Sequence, residues 1–365
     1  MKINLNKQDF KKLINLLQVR ENNINVSDMY LYYLLNESNS INEKMIRKYN
    51  KSNNLNYAFY HSFLEVMEVE SDDELKYIES INHINDMEVL DVKKYLSNPY
   101  YKKIKTSELK LKNLEFKYDT FKPYEGFMYK DISFDNNNYA EITHFGFFKE
   151  EFKYLTISQN NEIWMSITPH EIETMDESIS KANGTIAVFG LGLGYYPYMI
   201  SLKENVKKIY IIEKDKNVIS LFKEHILPQF EYKDKIEIIN DDAFNFMKKM
   251  KSYSINYAFI DLWHNVDDGI SLYIHSLQEE LDNITYSYWI EPSFIAYIRR
   301  NLLTLIDEQA DNADSSNYIN EENYDDHIIN ELYKVTKNIN ISSYEEIHDL
   351  LKESSIKKLL KQIKY

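Results

Sequence analysis

Five apolar runs recur through the second half of this chain: TIAVFG (185–190), KIYIIE (208–213), KIEIIN (235–240), NYAFID (256–261) and TYSYWI (285–290). Each is strand-length and rich in β-branched or aromatic residues, and segments with helical spacing separate them. Alternation of this kind leaves few topologies open, because consecutive strands joined through helices align in parallel with right-handed crossovers. The expectation is an α/β fold, a Rossmann-like parallel sheet, with connecting helices of about 10 to 16 residues.

The rest of the chain differs in period. FKKLINLLQV (10–19), HSFLEVMEV (61–69) and DELKYIESI (73–81) place apolar residues at helical spacing, and residues 1–115 contain no glycine and no hairpin signal, which predicts an all-helical N-terminal region. YAEITHFGFF (139–148), FKYLTISQ (152–159) and EIWMSI (162–167), separated by NNN and QNN, predict antiparallel strands over 116–168. HEIETMDESISKA (170–182) reads as a helix leading into the sheet domain, 169–305. Beyond it, 306–365 reads as an acidic linker (DEQADNADSSNYINEENYDD) and one terminal helix with Ile347, Leu350, Leu351, Ile356, Leu359, Leu360 and Ile363 as its apolar stripe. That helix is expected to dock on its own domain or on a second subunit, so a homodimer is among the expected states; Lys357, Lys358, Lys361 and Lys364 also admit a membrane-surface reading.

Composition narrows the partners. A net charge of −15 argues against nucleic acid and anionic lipid, which need a basic surface to release counterions. The chain has no cysteine, which excludes disulfides, thiolate catalysis and cysteine-ligated zinc. MKINLNKQDFKKLINLL lacks the continuous apolar core of a secretory signal, and the uncharged run 185–202 is broken by glycines and a proline, so a cytoplasmic protein without membrane spans is expected.

Three of the seven glycines fall in VFGLGLGYYPY (188–198), where the first strand of the series turns into a helix with Pro197 in its first turn. Gly190, Gly192 and Gly194 there would let a ligand lie against the backbone, with helix amides pointing at it. Glu213 ends the next strand, 23 positions after Gly190, close to where a carboxylate accepts the ribose hydroxyls of a nucleoside; it could also cap the following helix. The third strand ends in Asp241-Asp242-Ala243-Phe244, from which Asp242 is assigned to an adenine amino group and Asp241 to the helix cap. The fourth ends in Asp261-Leu262-Trp263-His264. Asp261 is the expected catalytic carboxylate and His264 a candidate general base, while Trp263 either walls the pocket or fills the core. A dinucleotide fingerprint needs its third glycine three places after its second, and Leu193 or Tyr195 stands there instead.

These residues resemble the class I S-adenosylmethionine-dependent methyltransferases, and within them the spermidine-synthase-like branch, over about residues 169–300. The run DAFNFM and the β-rich segment ahead of the sheet are similar to the aminopropyltransferases. The resemblance implies S-adenosylmethionine as cofactor, with Gly190, Gly192 and Gly194 at its methionine and ribose side, Glu213 at the ribose, Asp242 and Ala243 at the adenine, and Asp261 beside the reacting centre. Val188 stands where many methyltransferases carry an acid. Leu262, Trp263 and His264 replace the small polar residues and proline that follow the aspartate in spermidine synthases. Methyl transfer to a small-molecule or peptidic acceptor is therefore expected; aminopropyl transfer and a non-catalytic cofactor-binding module are the alternatives. An acidic rim of Asp261, Asp267, Asp268 and Glu291 would favour a cationic acceptor. Asp261 and Glu291 alone make a weak cation site, and no metal is expected.

Overall fold

A computed structural model describes residues 1–69, 87–111, 114–159, 162–311 and 327–364. Helix α1, Lys7–Tyr32, starts where the Asn6 side chain accepts from the amides of Gln8 and Asp9. It buries Leu13, Leu16 and Leu17 against the main core, and Val26 and Tyr30 in a second cluster with Phe59, Phe63 and Phe145. The N-terminal region is not all helical. Lys2–Ile3 pairs in parallel with Asn340–Ile341, Glu88–Leu90 with Phe145–Phe148, and Leu109–Leu111 antiparallel with Leu114–Phe121. Strands of two or three residues have no periodicity to read, and distant partners supply their hydrogen bonds. DELKYIESI (73–81) lies outside the described residues. Helix α2, Pro99–Lys103, follows with Asn98 as its cap.

The β-rich segment centres on the long antiparallel pair Leu114–Phe121 with Phe152–Gln159, flanked by Glu162–Ser166. Helix α3, Pro169–Lys181, then leads into the parallel sheet. Its strands are β1 Gly184–Phe189, β2 Val206–Glu213, β3 Ile236–Asn240, β4 Tyr257–Ile260 and β5 Thr285–Tyr288. They lie in the order β3-β2-β1-β4-β5, all parallel. This is a Rossmann-like arrangement whose order reverses between β1 and β4, the place where open α/β sheets leave a crevice at their carboxyl ends. Both central strands are buried, which explains their nearly unbroken apolar runs.

The helices after the first three strands are shorter than expected. They are α4 Tyr195–Ser201, α5 Lys216–Leu221 and α6 Ala243–Met247; α5 continues as a π-helical turn, Phe222–Ile226. The fourth, α7 Val266–Gln278, is full length. Helix α8, Glu291–Asp311, runs six residues into the stretch that reads as linker, held to α1 by Arg20 with Asp307 (3.0 Å). The single terminal helix is in fact two, α9 Tyr344–Leu350 and α10 Glu353–Leu360, preceded by another helix, His327–Thr336. The break leaves the Leu351 carbonyl outside helical pairing, and buried Arg299 donates to it at 3.1 Å. The stripe still faces inward: Ile347, Leu351, Ile356 and Leu360 are fully buried in the main core. Lys357 and Lys361 turn to Glu291 and Glu280, which spends part of the basic face inside the chain. No helix among the described residues is long and apolar enough to cross a membrane.

Candidate functional site

The glycine turn sits at the carboxyl end of β1, beside the ends of β2 and β4. Gly190 takes φ +93° and Gly192 φ +52°, conformations that a side chain resists. At Gly190 the reason is packing, since a Cβ would stand 2.0 Å from the Asp261 carbonyl oxygen. At Gly192 no protein atom lies within 4 Å of the Cβ position, so the turn presents bare backbone to open space. Gly194 precedes α4 as its N-cap.

Glu213 is not the helix cap. Asp215 caps α5 by accepting from the Asn217 amide at 2.7 Å, while Glu213 joins two turns: Oε2 accepts from the Leu191 amide (3.2 Å) and Oε1 from the Asp215 amide (2.7 Å). Each oxygen keeps a further lone pair for a hydroxyl donor. The cap assignment at the end of β3 is reversed. Asp242 caps α6, accepting from the Phe244 and Asn245 amides, and Asp241 pairs with Lys249 at 2.8 Å. The side chain whose backbone leaves the strand at extended dihedrals is the one that reaches the helix amides, and that residue is Asp242. Ala243 is buried beneath it.

Asp261 follows β4 directly, partly accessible yet strongly desolvated. Burial, with the Glu213 charge second, pushes its carboxyl up to about 7. A third carboxyl joins them that the sequence reading passed over. Glu171, in the first turn of α3, is held well above the carboxylate range by burial and then by Asp261. Its neighbour His170 is driven down to about 4 by burial and lies edge-on to Trp289, ring centroids 6.1 Å apart. The signal was present in T-P-H-E (168–171), but that pattern is also a helix start, and Thr168 does cap α3 by accepting from the Glu171 amide. Local capping chemistry thus hid a carboxyl that feels the Asp261 charge. Among the described residues, none of Glu171, Glu213 and Asp261 forms an ion pair with a lysine or arginine.

The other expected rim residues do not join this cluster. His264 is exposed, and its Nδ1 lies 2.7 Å from Asp268, whose carboxylate also accepts from the His264 and Asn265 amides. Glu291 accepts from the Tyr273 hydroxyl and from Lys357, at 2.7 and 2.8 Å. That removes it from a shared cation site with Asp261, and no group of three or more metal-ligating side chains occurs among the described residues. Trp263 is a core residue, donating from Nε1 to the Trp289 carbonyl and packing on Tyr273 and Phe294. Tyr195, Tyr196, Tyr198 and Tyr288 are likewise buried. The acidic feature of this rim is therefore Asp261, whose carboxyl feels the Glu213 charge and is itself felt by Glu171.

No family model and no curated protein matches the chain. Among solved structures it is similar to the spermidine synthase from Thermotoga maritima, at 12% identity and a TM-score of 0.29, over 46% of this chain and 68% of that one. At that level the comparison adds nothing to the reading of the site, which rests on the geometry above.

Proposed function

We propose that the protein is a transferase that binds S-adenosylmethionine at the carboxyl edge of the sheet and passes its methyl group to a small-molecule or peptidic acceptor. The observation that carries this reading is the bare glycine backbone at Gly192 facing open space, in a turn that touches Glu213 and Asp261, neither of which has a basic partner among the described residues. The residues fit such a cofactor. Gly190, Gly192 and Gly194 offer backbone to an adenosyl group, Glu213 has lone pairs for ribose hydroxyls, and Asp242 and Ala243 close the adenine side. When bound, the cofactor supplies a sulfonium-activated alkyl group, so the protein's part is positioning and proton management. Burial favours the protonated form of Glu171 and Asp261 in the empty site, and a bound cation would draw both back to the charged form; Asp261, pushed up to about 7, can take the proton of an incoming nucleophile. His264 is left without a catalytic part, because Asp268 holds its ring at the exposed side.

Aminopropyl transfer from decarboxylated S-adenosylmethionine is the second reading. Glu171 favours it, because a third unpaired carboxyl suits an amine better than the carboxylate of the intact cofactor. Incubation with each cofactor form, with putrescine or a fractionated cell extract as acceptor, separates the two by product chromatography. S-adenosylhomocysteine supports methyl transfer and methylthioadenosine supports the second reading. Calorimetric binding of adenosyl ligand without either product leaves a binding module, and no adenosyl binding at about millimolar ligand overturns the proposal. Glu213→Gln should weaken binding by about 1 to 3 kcal/mol.

A further inference from the structure

A recess of about 460 Å³ lies between α2 and the face of the β-rich sheet that carries Tyr118 and Leu155. Tyr100, Tyr101 and Tyr118 wall it, and Lys102, Lys105 and Lys153 are the charged residues that line it. Its location follows from pairing: Tyr118 sits opposite Leu155, and Thr120 opposite Lys153, so these side chains emerge on one face of the two long strands. Lys153 holds its ammonium 4.9 Å from the centre of the Tyr118 ring, and Lys105 folds back on the Tyr101 carbonyl at 2.7 Å. Among the described residues no carboxylate lines the recess, and none of the three lysines is in an ion pair. In a chain of net charge −15 this is a local inversion of sign. Leu96, an apolar side chain left 49% exposed, stands at the mouth.

We infer that this recess binds a small anion with a flat apolar body, such as an aromatic phosphate or carboxylate, its ring among the tyrosines and its charge among the lysines. The volume suits a small ligand, and a few fixed polar groups in an otherwise apolar pocket are what orient one. Lysine serves as a point charge for such anions, and clustering of like charges near an apolar wall focuses the field on the pocket. Two of the tyrosines that wall the recess also reach the glycine turn and the approach to α3. Tyr100 donates to the Leu193 carbonyl at 2.6 Å and Tyr101 donates to the Ile167 carbonyl. Tyr100 thus links the recess to the glycine turn, but the existence of the anion site does not depend on what that turn binds.

Calorimetric titration of the full chain with phenyl phosphate tests the inference without any cofactor. Saturable one-to-one binding is expected, with phenol and benzylamine at least tenfold weaker, and K102E/K153E should weaken phenyl phosphate at least tenfold at an unchanged melting temperature. No saturation by about 10 mM overturns it, as does equal binding of phenol or an unaffected double variant. Should the double variant melt early, lysine acetylation mapped by mass spectrometry on the unaltered protein decides instead. Phenyl phosphate should slow modification of Lys102 and Lys153 and leave Lys249 unchanged; equal rates at all three overturn the inference.

Discussion

Replacing Gly190 and Gly192 separately by alanine distinguishes a turn built for packing from one built for a ligand. At Gly190 the new Cβ would meet the Asp261 carbonyl oxygen at 2.0 Å, at φ +93°, and neither side can yield freely. The Gly190 amide is bonded to the Ile212 carbonyl at 3.0 Å, and the Asp261 amide to the Phe189 carbonyl at 2.9 Å. Strained backbone and overpacking each cost about 1 to 3 kcal/mol, so Gly190→Ala should lose about 3 kcal/mol or more. At Gly192, with φ +52° and nothing within 4 Å, only the left-handed backbone is penalised, by about 1 to 2 kcal/mol. A methyl group there projects into the space assigned to the adenosyl ligand. Gly192→Ala should therefore stay folded, yet bind S-adenosylhomocysteine at least about tenfold more weakly, or about 1.4 kcal/mol. Thermal melts and calorimetric titration of both variants provide the two readouts. Wild-type affinity in Gly192→Ala, or a larger stability loss there than in Gly190→Ala, would refute the reasoning.

Three more expectations follow from buried polar groups. Asp261 has a folded pKa of about 7, above its ordinary value, so the folded state holds the extra proton between roughly pH 4 and 7 and loses stability as pH rises through that window. Asp261→Asn should stabilise the ligand-free protein at pH 8 by about 1 to 2 kcal/mol and much less at pH 5; equal effects at both, by thermal melts, would contradict it. Lys357→Met strands Glu291 with only the Tyr273 hydroxyl and should cost about 2 kcal/mol in urea titrations. Adding Glu291→Gln should recover more than half of that loss, because the cost lies in an unpaired carboxylate. Tyr100→Phe removes the donor to the Leu193 carbonyl and should cost about 1 kcal/mol, with faster amide exchange at residues 191–194.

The sequence by itself determined the parallel sheet, because a buried strand must be apolar on both faces and a turn into a helix must be permissive. The runs ending in Gly190, Glu213, Asn240 and Asp261 carry those constraints locally, and all four end at one edge of the sheet as their alternation requires. The placement of Gly190 and Gly192 in the turn was legible for the same reason. Tertiary structure alone decided what depends on partners distant in the chain. Lys2–Ile3 is a strand only because Asn340–Ile341 lies beside it, and the terminal stripe divides into two helices where Arg299 captures the Leu351 carbonyl. The same holds at the site. Spacing could mark Asp241 and Asp242 but not which one turns toward the helix amides, since that is settled by a single pair of backbone dihedrals. Glu171 and His170 look from the sequence like the opening of a helix. Only the fold brings that glutamate within reach of the Asp261 charge, because a desolvated charge is felt through space and leaves no mark on local spacing.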